Sequence, residues 1–386
     1  MEDEQTSSDF VETYRVVSFI MGVGLIYPNP RTETKRILCF LLVLASVAPL
    51  CCAMVLDMYA SWRRRDIVNI LRHSSIVGPF LGGFFKIIIM FYKRRQAKEI
   101  IEEIDREYDA FNSRPLAHKS IISTSIDNNI VYSERGWAAT VLVAVTAFPI
   151  MATISTIRSH LFEEEPHRYM VHDVNIPFMP AEDRFKSPVY EITFAYFLYG
   201  CCLFIINFLG YDGFFGLCVN HACLKMELYC KELKEALLED TEEMMRQKVV
   251  KVIHHQNNFT HFVNLIQDTF NIWLGLILIA TMIQIGSAMY LISAGYAMDV
   301  RYIIFIVGIV LYIYLPCRYA AKLKHMSSET ATLFNCAGWE RAPHHSIRKM
   351  LLFMIARAQV PCEITAFNLF VFDMDLFVRV IFNFDT

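Results

Sequence analysis

The sequence predicts an all-α membrane protein: seven transmembrane helices, the N-terminus cytoplasmic, the C-terminus extracellular, and cytoplasmic helical extensions forming an anchor region. Three observations predict it. The 386 residues are 55% apolar and only 19% charged, against about 45–50% and about 25% in soluble domains, and the mean hydropathy is +0.35. Several uncharged stretches reach the roughly 20 residues that cross a bilayer. Lys and Arg alternate between the segments joining these stretches, 24 in one set and 8 in the other, and the richer set belongs on the cytoplasmic side. The composition excludes a disordered chain and a small disulfide scaffold. A net charge of −3 excludes a nucleic-acid binder, which needs a clustered basic face.

Residues 1–36 read as a cytoplasmic N-terminal segment, because MEDEQTSSD is acidic and lacks the basic start of a signal peptide. Residues 37–60 form the first span, with Asp57 as its one charge. The second, 67–92, is more polar and holds Arg72, His73 and Lys86. The third (136–157), fourth (192–211) and fifth (270–294) are uncharged, and the sixth, 302–317, is short with Arg301 and Arg318 able to snorkel. Between spans, Ile100, Ile104, Tyr108 and Phe111 recur at helical spacing, either a solvated amphipathic helix or a partner-binding face. The segment 213–269 carries a mixed-charge helix pattern. Its apolar stripe Phe259, Phe262, Val263, Ile266 and Phe270 runs directly into span five, and Met244 and Met245 suggest packing between helical extensions. Residues 158–187 are proline-rich without helical period, a lid over an external pocket.

The seventh span, within 350–386, is broken. It contains Arg357, Glu363, Asp373, Asp375 and Arg379, and Pro361 removes a backbone donor. Charges inside a span face protein or water. A first half packed in protein and a second half lining an aqueous path is one reading; pairing of Asp375 with Arg379 one turn apart is the other. Metal-binding and enzymatic signatures (HExxH, P-loop, CxxC, GxSxG) do not occur in the sequence; no cofactor, no metal and no enzymatic activity are expected. The orientation, the lack of NPxxY in span seven and the lack of cysteines in the outside loops separate the chain from G-protein-coupled receptors.

The C-terminal third carries a resemblance. Tyr314, Leu315-Pro316-Cys317, Trp339 and the stretch RKMLLFMIARAQVPCEITAFNLFVFDMDLF, with its core Arg357-x-Gln359-x-Pro361, Thr365 and the later Phe377, resemble the signature of the insect odorant receptor family. The resemblance implies an odour-gated, non-selective cation channel subunit of the plasma membrane of sensory neuron dendrites. It implies a heterotetramer of a tuning subunit with the odorant receptor co-receptor, and this chain, without the co-receptor's long cytoplasmic insertion, resembles the tuning subunit. It further implies 37–320 as six helices with the ligand pocket, 321–349 as an anchor segment, and 350–386 as a pore-lining element whose candidates are Asp375, Val378, Arg379, Ile381 and Phe382. Family members continue past Phe377 with a gate stretch, whereas this sequence ends at Asn383-Phe384-Asp385-Thr386, so this subunit is expected to lack that stretch.

The resemblance places the pocket in the outer halves of spans two to six, where it would take a small, volatile, mostly apolar ligand, with membrane lipid around the bundle. The orientation selects Ser74, Ser75 and Gly78 on span two, and Phe148, Met151 and Ile154 on span three. It selects Tyr190, Phe194 and Phe197 on span four, Met289 on span five, and Tyr302, Phe305 and Ile309 on span six. A gustatory-receptor-like channel and a secondary transporter are the competing readings; the first lacks its TYxxxxxQF pattern here, and the second its internal repeat.

Overall fold

The uncharged stretches become long helices. A computed structural model describes residues 9–28, 33–176, 179–180, 182–293, 300–342 and 344–382. Its main elements are α1 (Arg15–Val23), α2 (Glu33–Arg64), α3 (Ile67–Tyr92), α4 (Arg94–Asp109), α5 (Leu116–Asn128) and α6 (Trp137–Phe162). They continue with α7 (Val189–Ala236), α8 (Glu242–Ser293), α9 (Val300–Asn335), α10 (His345–Ala358), the strands β1 (Thr365–Ala366) and β2 (Phe370–Val371), and α11 (Met374–Phe382). Among the described residues, five helical runs are long and apolar enough to cross a membrane: α2, α5 continuing into α6, α7, α8 and α9. The remaining two of the seven expected spans are the polar ones. Among the described residues of α3, Leu81–Tyr92 forms a shorter apolar stretch, and span seven divides into α10 and α11.

The helices run far beyond the apolar stretches. α8 has 52 residues, about 78 Å at 1.5 Å per residue, and carries span five and its stripe as one rod, with Phe259, Phe262, Val263, Ile266 and Phe270 all buried. α7 does the same, although the sequence pattern ends span four at residue 211. From Asn207 to Met226 it is buried on every face except at the half-buried Asp212, because a helix apolar all round becomes a core helix. Met245 is buried but Met244 is exposed, so only one of the two methionines packs between extensions.

The apolar face of α4 finds its partner within the chain. Ile100, Ile104 and Tyr108 are buried, the Tyr108 and Tyr14 hydroxyls share a hydrogen bond of 2.8 Å, and the Phe10 N–H donates to Asp105 Oδ1 at 2.7 Å. The side chain of Phe111, and residues 383–386, lie outside the described residues.

The break in span seven has a structure of its own. α10 ends at Ala358 and the chain turns through the exposed Pro361. β1 and β2 then pair antiparallel, Thr365 with Val371 and Ala366 with Phe370. Three residues join the strands; the first two, Phe367 and Asn368, have φ of 52° and 56°, and the Leu369 N–H donates to the Ala366 carbonyl at 2.9 Å, a tight turn with a left-handed central pair. A stripe on α8 holds the hairpin. The Thr365 N–H donates to Gln267 Oε1 (2.8 Å) and the Asn368 N–H to Asn271 Oδ1 (3.0 Å). At Gly275, one turn further, the Phe367 ring lies where a Cβ would stand only 2.2 Å from it. Glu363 and Asp373 both meet Lys324 of α9, at 2.9 and 3.1 Å. These two charges of span seven thus tie the ends of the hairpin to α9.

Candidate functional site

From Asn207 to Met226 α7 is almost wholly buried, and towards the 163–188 loop the helices surround a cavity. There α3, α6, α7, α8 and α9 enclose a cavity of about 390 Å³, with Leu50 and Met54 of α2 at its rim and Val171 and His172 of the loop closing over it. The size lies at the small end of ligand pockets. The walls are aliphatic and aromatic, Phe85, Phe148, Phe204 and Phe305 among them.

The floor is polar beneath an aromatic skin. Lys86 of α3, wholly buried, pairs with Asp212 of α7 at 2.6 Å, and Trp273 Nε1–H donates to the other carboxylate oxygen at 3.1 Å. Three rings that line the cavity also face the ammonium: Phe208 at 3.5 Å, Trp273 at 4.6 Å and Tyr312 at 5.5 Å. A cation in an apolar span needs such company. The pair ties α3 to α7 and, through Trp273, to α8.

The roof is pinned by a second polar chain. Asp57, the one charge of span one, accepts the Asn175 N–H (2.8 Å), the Asn175 amide (3.0 Å) and His73 Nε2–H (3.0 Å). With that nitrogen protonated, His73 Nδ1 accepts from His172 Nε2–H at 2.9 Å. Arg184 Nη1 donates to the Val174 carbonyl at 3.0 Å and to Asn175 Oδ1 at 3.2 Å. The loop is therefore latched to α2 and α3 by side chains whose donors and acceptors are matched.

Of the residues expected at a ligand site, Ser74, Gly78, Phe148, Phe197, Phe305 and Ile309 border the cavity. Tyr190 and Phe194 do not: their rings pack at 5.8 Å, and the Tyr190 hydroxyl donates to the Tyr169 carbonyl at 3.1 Å, bracing the loop from outside. Ile154 and Met289 are exposed on outer helix faces, and Met151, half-buried, is not among the lining. The side chains of Ser75 and Tyr302 lie outside the described residues. Sequence reasoning missed Trp137, His172, Phe208, Trp273, Gln284 and Tyr312. Lys86 was the available signal: a buried ammonium demands an acid, and Asp212 follows span four by one residue.

In α11, Asp375, Val378, Arg379 and Phe382 form one exposed face at i, i+3, i+4 and i+7, while Ile381 is half-buried and packs inward with Phe377. Among the described residues no ion pair joins Asp375 to Arg379, so the intrahelical pairing allowed by their spacing is not made. Phe377 meets Tyr314 edge-on at 5.3 Å, Cys317 is buried, and Trp339 Nε1–H donates to Asn335 at 3.2 Å. Arg357, Gln359 and Pro361 are exposed.

Comparison with known proteins agrees with this architecture. The chain is 23% identical to Odorant receptor 85f of Drosophila melanogaster over 98% of its own length and 96% of that protein's. It superposes on solved structures of the insect olfactory receptor OR5 from Machilis hrabei. For the complex with eugenol the TM-score is 0.72 at 13% identity, covering 95% of this chain and 96% of that one. For the structure of OR5 itself the TM-score is 0.74 at 12% identity, covering 95% and 93%. At such identity the superposition speaks for the fold. The sequence pattern of the 7tm odorant receptor family matches residues 66–383, and the chain, a multi-pass helical membrane protein, belongs to that insect odorant receptor family.

Proposed function

We propose that the chain is the tuning subunit of an odorant-gated, non-selective cation channel in the plasma membrane of a sensory neuron, working as a heterotetramer with the odorant receptor co-receptor. The cavity carries this reading: a family member with an apolar space of about 390 Å³ has a place for a small volatile ligand. The relative from Machilis hrabei was solved with eugenol, a precedent for a small organic ligand on this fold. The N-terminus is cytoplasmic, residues 321–349 belong to the anchor, and the exposed face of α11, with Asp375, Val378, Arg379 and Phe382, lines the pore. Ile381 supports that helix from behind. The exposed Arg357 and Gln359 belong to a contact between subunits. Ser74, Gly78, Phe148, Phe197, Phe305 and Ile309 contact the ligand.

The test is whole-cell current under an odorant panel, with the chain expressed alone and together with the co-receptor. Odour-evoked cation current in the pair, and its loss when the cavity is filled by Gly78→Trp, is the expected result. Silence of the pair after confirmed surface delivery would sink the reading.

A further inference from the structure

The cavity's hydrogen-bonding groups can be accounted for one by one. The two indole N–H groups are committed, Trp137 to the Phe208 carbonyl at 3.0 Å and Trp273 to Asp212. The Ser74 hydroxyl donates to the Leu71 carbonyl at 2.9 Å and Thr140 to the Gly136 carbonyl at 2.9 Å. His172 spends its Nε2–H on His73. The Tyr312 hydroxyl is sealed off from the void. Gln284 differs. It is 5% exposed and lines the cavity, and among the described residues its amide has no hydrogen-bond partner. It stands beside Gly78, with Nε2 3.8 Å from where a Cβ on that glycine would lie. A buried amide without a partner loses free energy, and a ligand that supplies the partner recovers it.

We infer that Gln284 is the specificity-determining residue of this cavity, and that the ligand is an apolar molecule bearing one carbonyl oxygen (a ketone, aldehyde or ester), which accepts from Gln284 Nε2–H. The inference rests on the cavity being the ligand site. The hydroxyls of Ser74 and Thr140 have only lone pairs to offer, which serve a ligand hydroxyl and not a carbonyl. Among the described lining groups the Gln284 amide is the strong uncommitted donor, the Cys201 thiol being a weak one, so an acceptor-only ligand is oriented with its oxygen towards Gly78 and its hydrocarbon body against the aromatic walls.

The experiment uses isosteric pairs in which CH₂ replaces the carbonyl oxygen: methyl pentyl ketone with its methylene counterpart, and cyclooctanone with methylenecyclooctane. Binding to the purified full-length chain in lipid nanodiscs is read by fluorescence of the cavity tryptophans. Wild type should favour the carbonyl member beyond its partition between water and hydrocarbon. Gln284→Leu should shift the ratio of the two dissociation constants towards the methylene member by on the order of tenfold. Gln284→Met, which keeps the side chain's length, should do the same if the leucine variant does not fold. An unchanged ratio in variants that still bind both members overturns the inference, and so does a wild type that binds only the methylene members; either leaves the cavity standing as a ligand site. Failure of wild type to bind any of the four probes overturns both.

Discussion

Lys86 and Asp212 pose the sharpest question at the scale of single residues. Each ion loses several kcal/mol of hydration on burial, and the contact between them returns it only while both are present. Asp212→Leu should therefore lower the stability of the detergent-purified chain by on the order of 3–5 kcal/mol. Adding Lys86→Met should recover much of that, because the uncompensated ammonium goes with it. A double variant no more stable than the single one in thermal unfolding would show that the pair is not what Asp212 supports. Outside the bundle, Asp105 has a different character. Burial holds its carboxyl above the ordinary range, against the pull of the Phe10 N–H, and Asp9, Asp109 and Glu102 push the same way. A raised acid binds its proton more tightly folded than unfolded, so stability is greatest below the ordinary carboxylate value and falls as pH rises through the raised one. Asp105→Asn should flatten that fall in unfolding measured across the mildly acidic range.

At the scale of elements, the hairpin and the loop are the parts with the most to lose from one substitution. The stripe Gln267, Asn271 and Gly275 holds the hairpin on one side of α8, while Trp273, Ile277 and Gln284 of the same helix border the cavity. If a ligand displaces α8, these contacts give the displacement a route to the hairpin and from there to α11. Gly275→Ala should drive the Phe367 ring off the helix and uncouple the two. The expected outcome is binding retained in fluorescence titration with odour-evoked current reduced at least several-fold. The loop is held chiefly through Asp57. Asp57→Ala removes the acceptor of both Asn175 donors and of His73, so ligand should leave faster and external protease should cut between residues 163 and 188 more readily. Equal dissociation rates in variant and wild type would sink the latch.

At the scale of the molecule, orientation and conduction are the properties to test. An N-terminal epitope should be reached by antibody only after permeabilisation, since Lys and Arg accumulate on that side. If the exposed face of α11 borders the ion path, Asp375→Lys replaces an acid facing passing cations by a base. The reversal potential under asymmetric salt should then move away from the cation equilibrium value. An unchanged reversal potential with current intact would exclude Asp375 from the path.

The sequence by itself determined which segments become the long apolar helices, the amphipathic α4 and the break after Ala358. Bilayer-length hydrophobicity, period and proline chemistry are local properties, readable along the chain. It also brought six of its thirteen pocket candidates to the cavity wall, because the resemblance points to the outer halves of the spans and charge asymmetry says which halves those are. Only the tertiary structure decided which face of each half borders the void. Lipid and protein interior are both apolar, so α6 and the outer half of α7 carry no hydrophobic stripe to tell one from the other, and Ile154 reads like Phe148. Pairings between distant residues were likewise illegible: Lys86 with Asp212, 126 positions apart, or Asp57 with Asn175, 118 apart. The hairpin was invisible for a related reason. Strands of two residues have no period, and what holds them is a row of polar and glycine positions on a helix, a row that no periodic signal in the sequence marks.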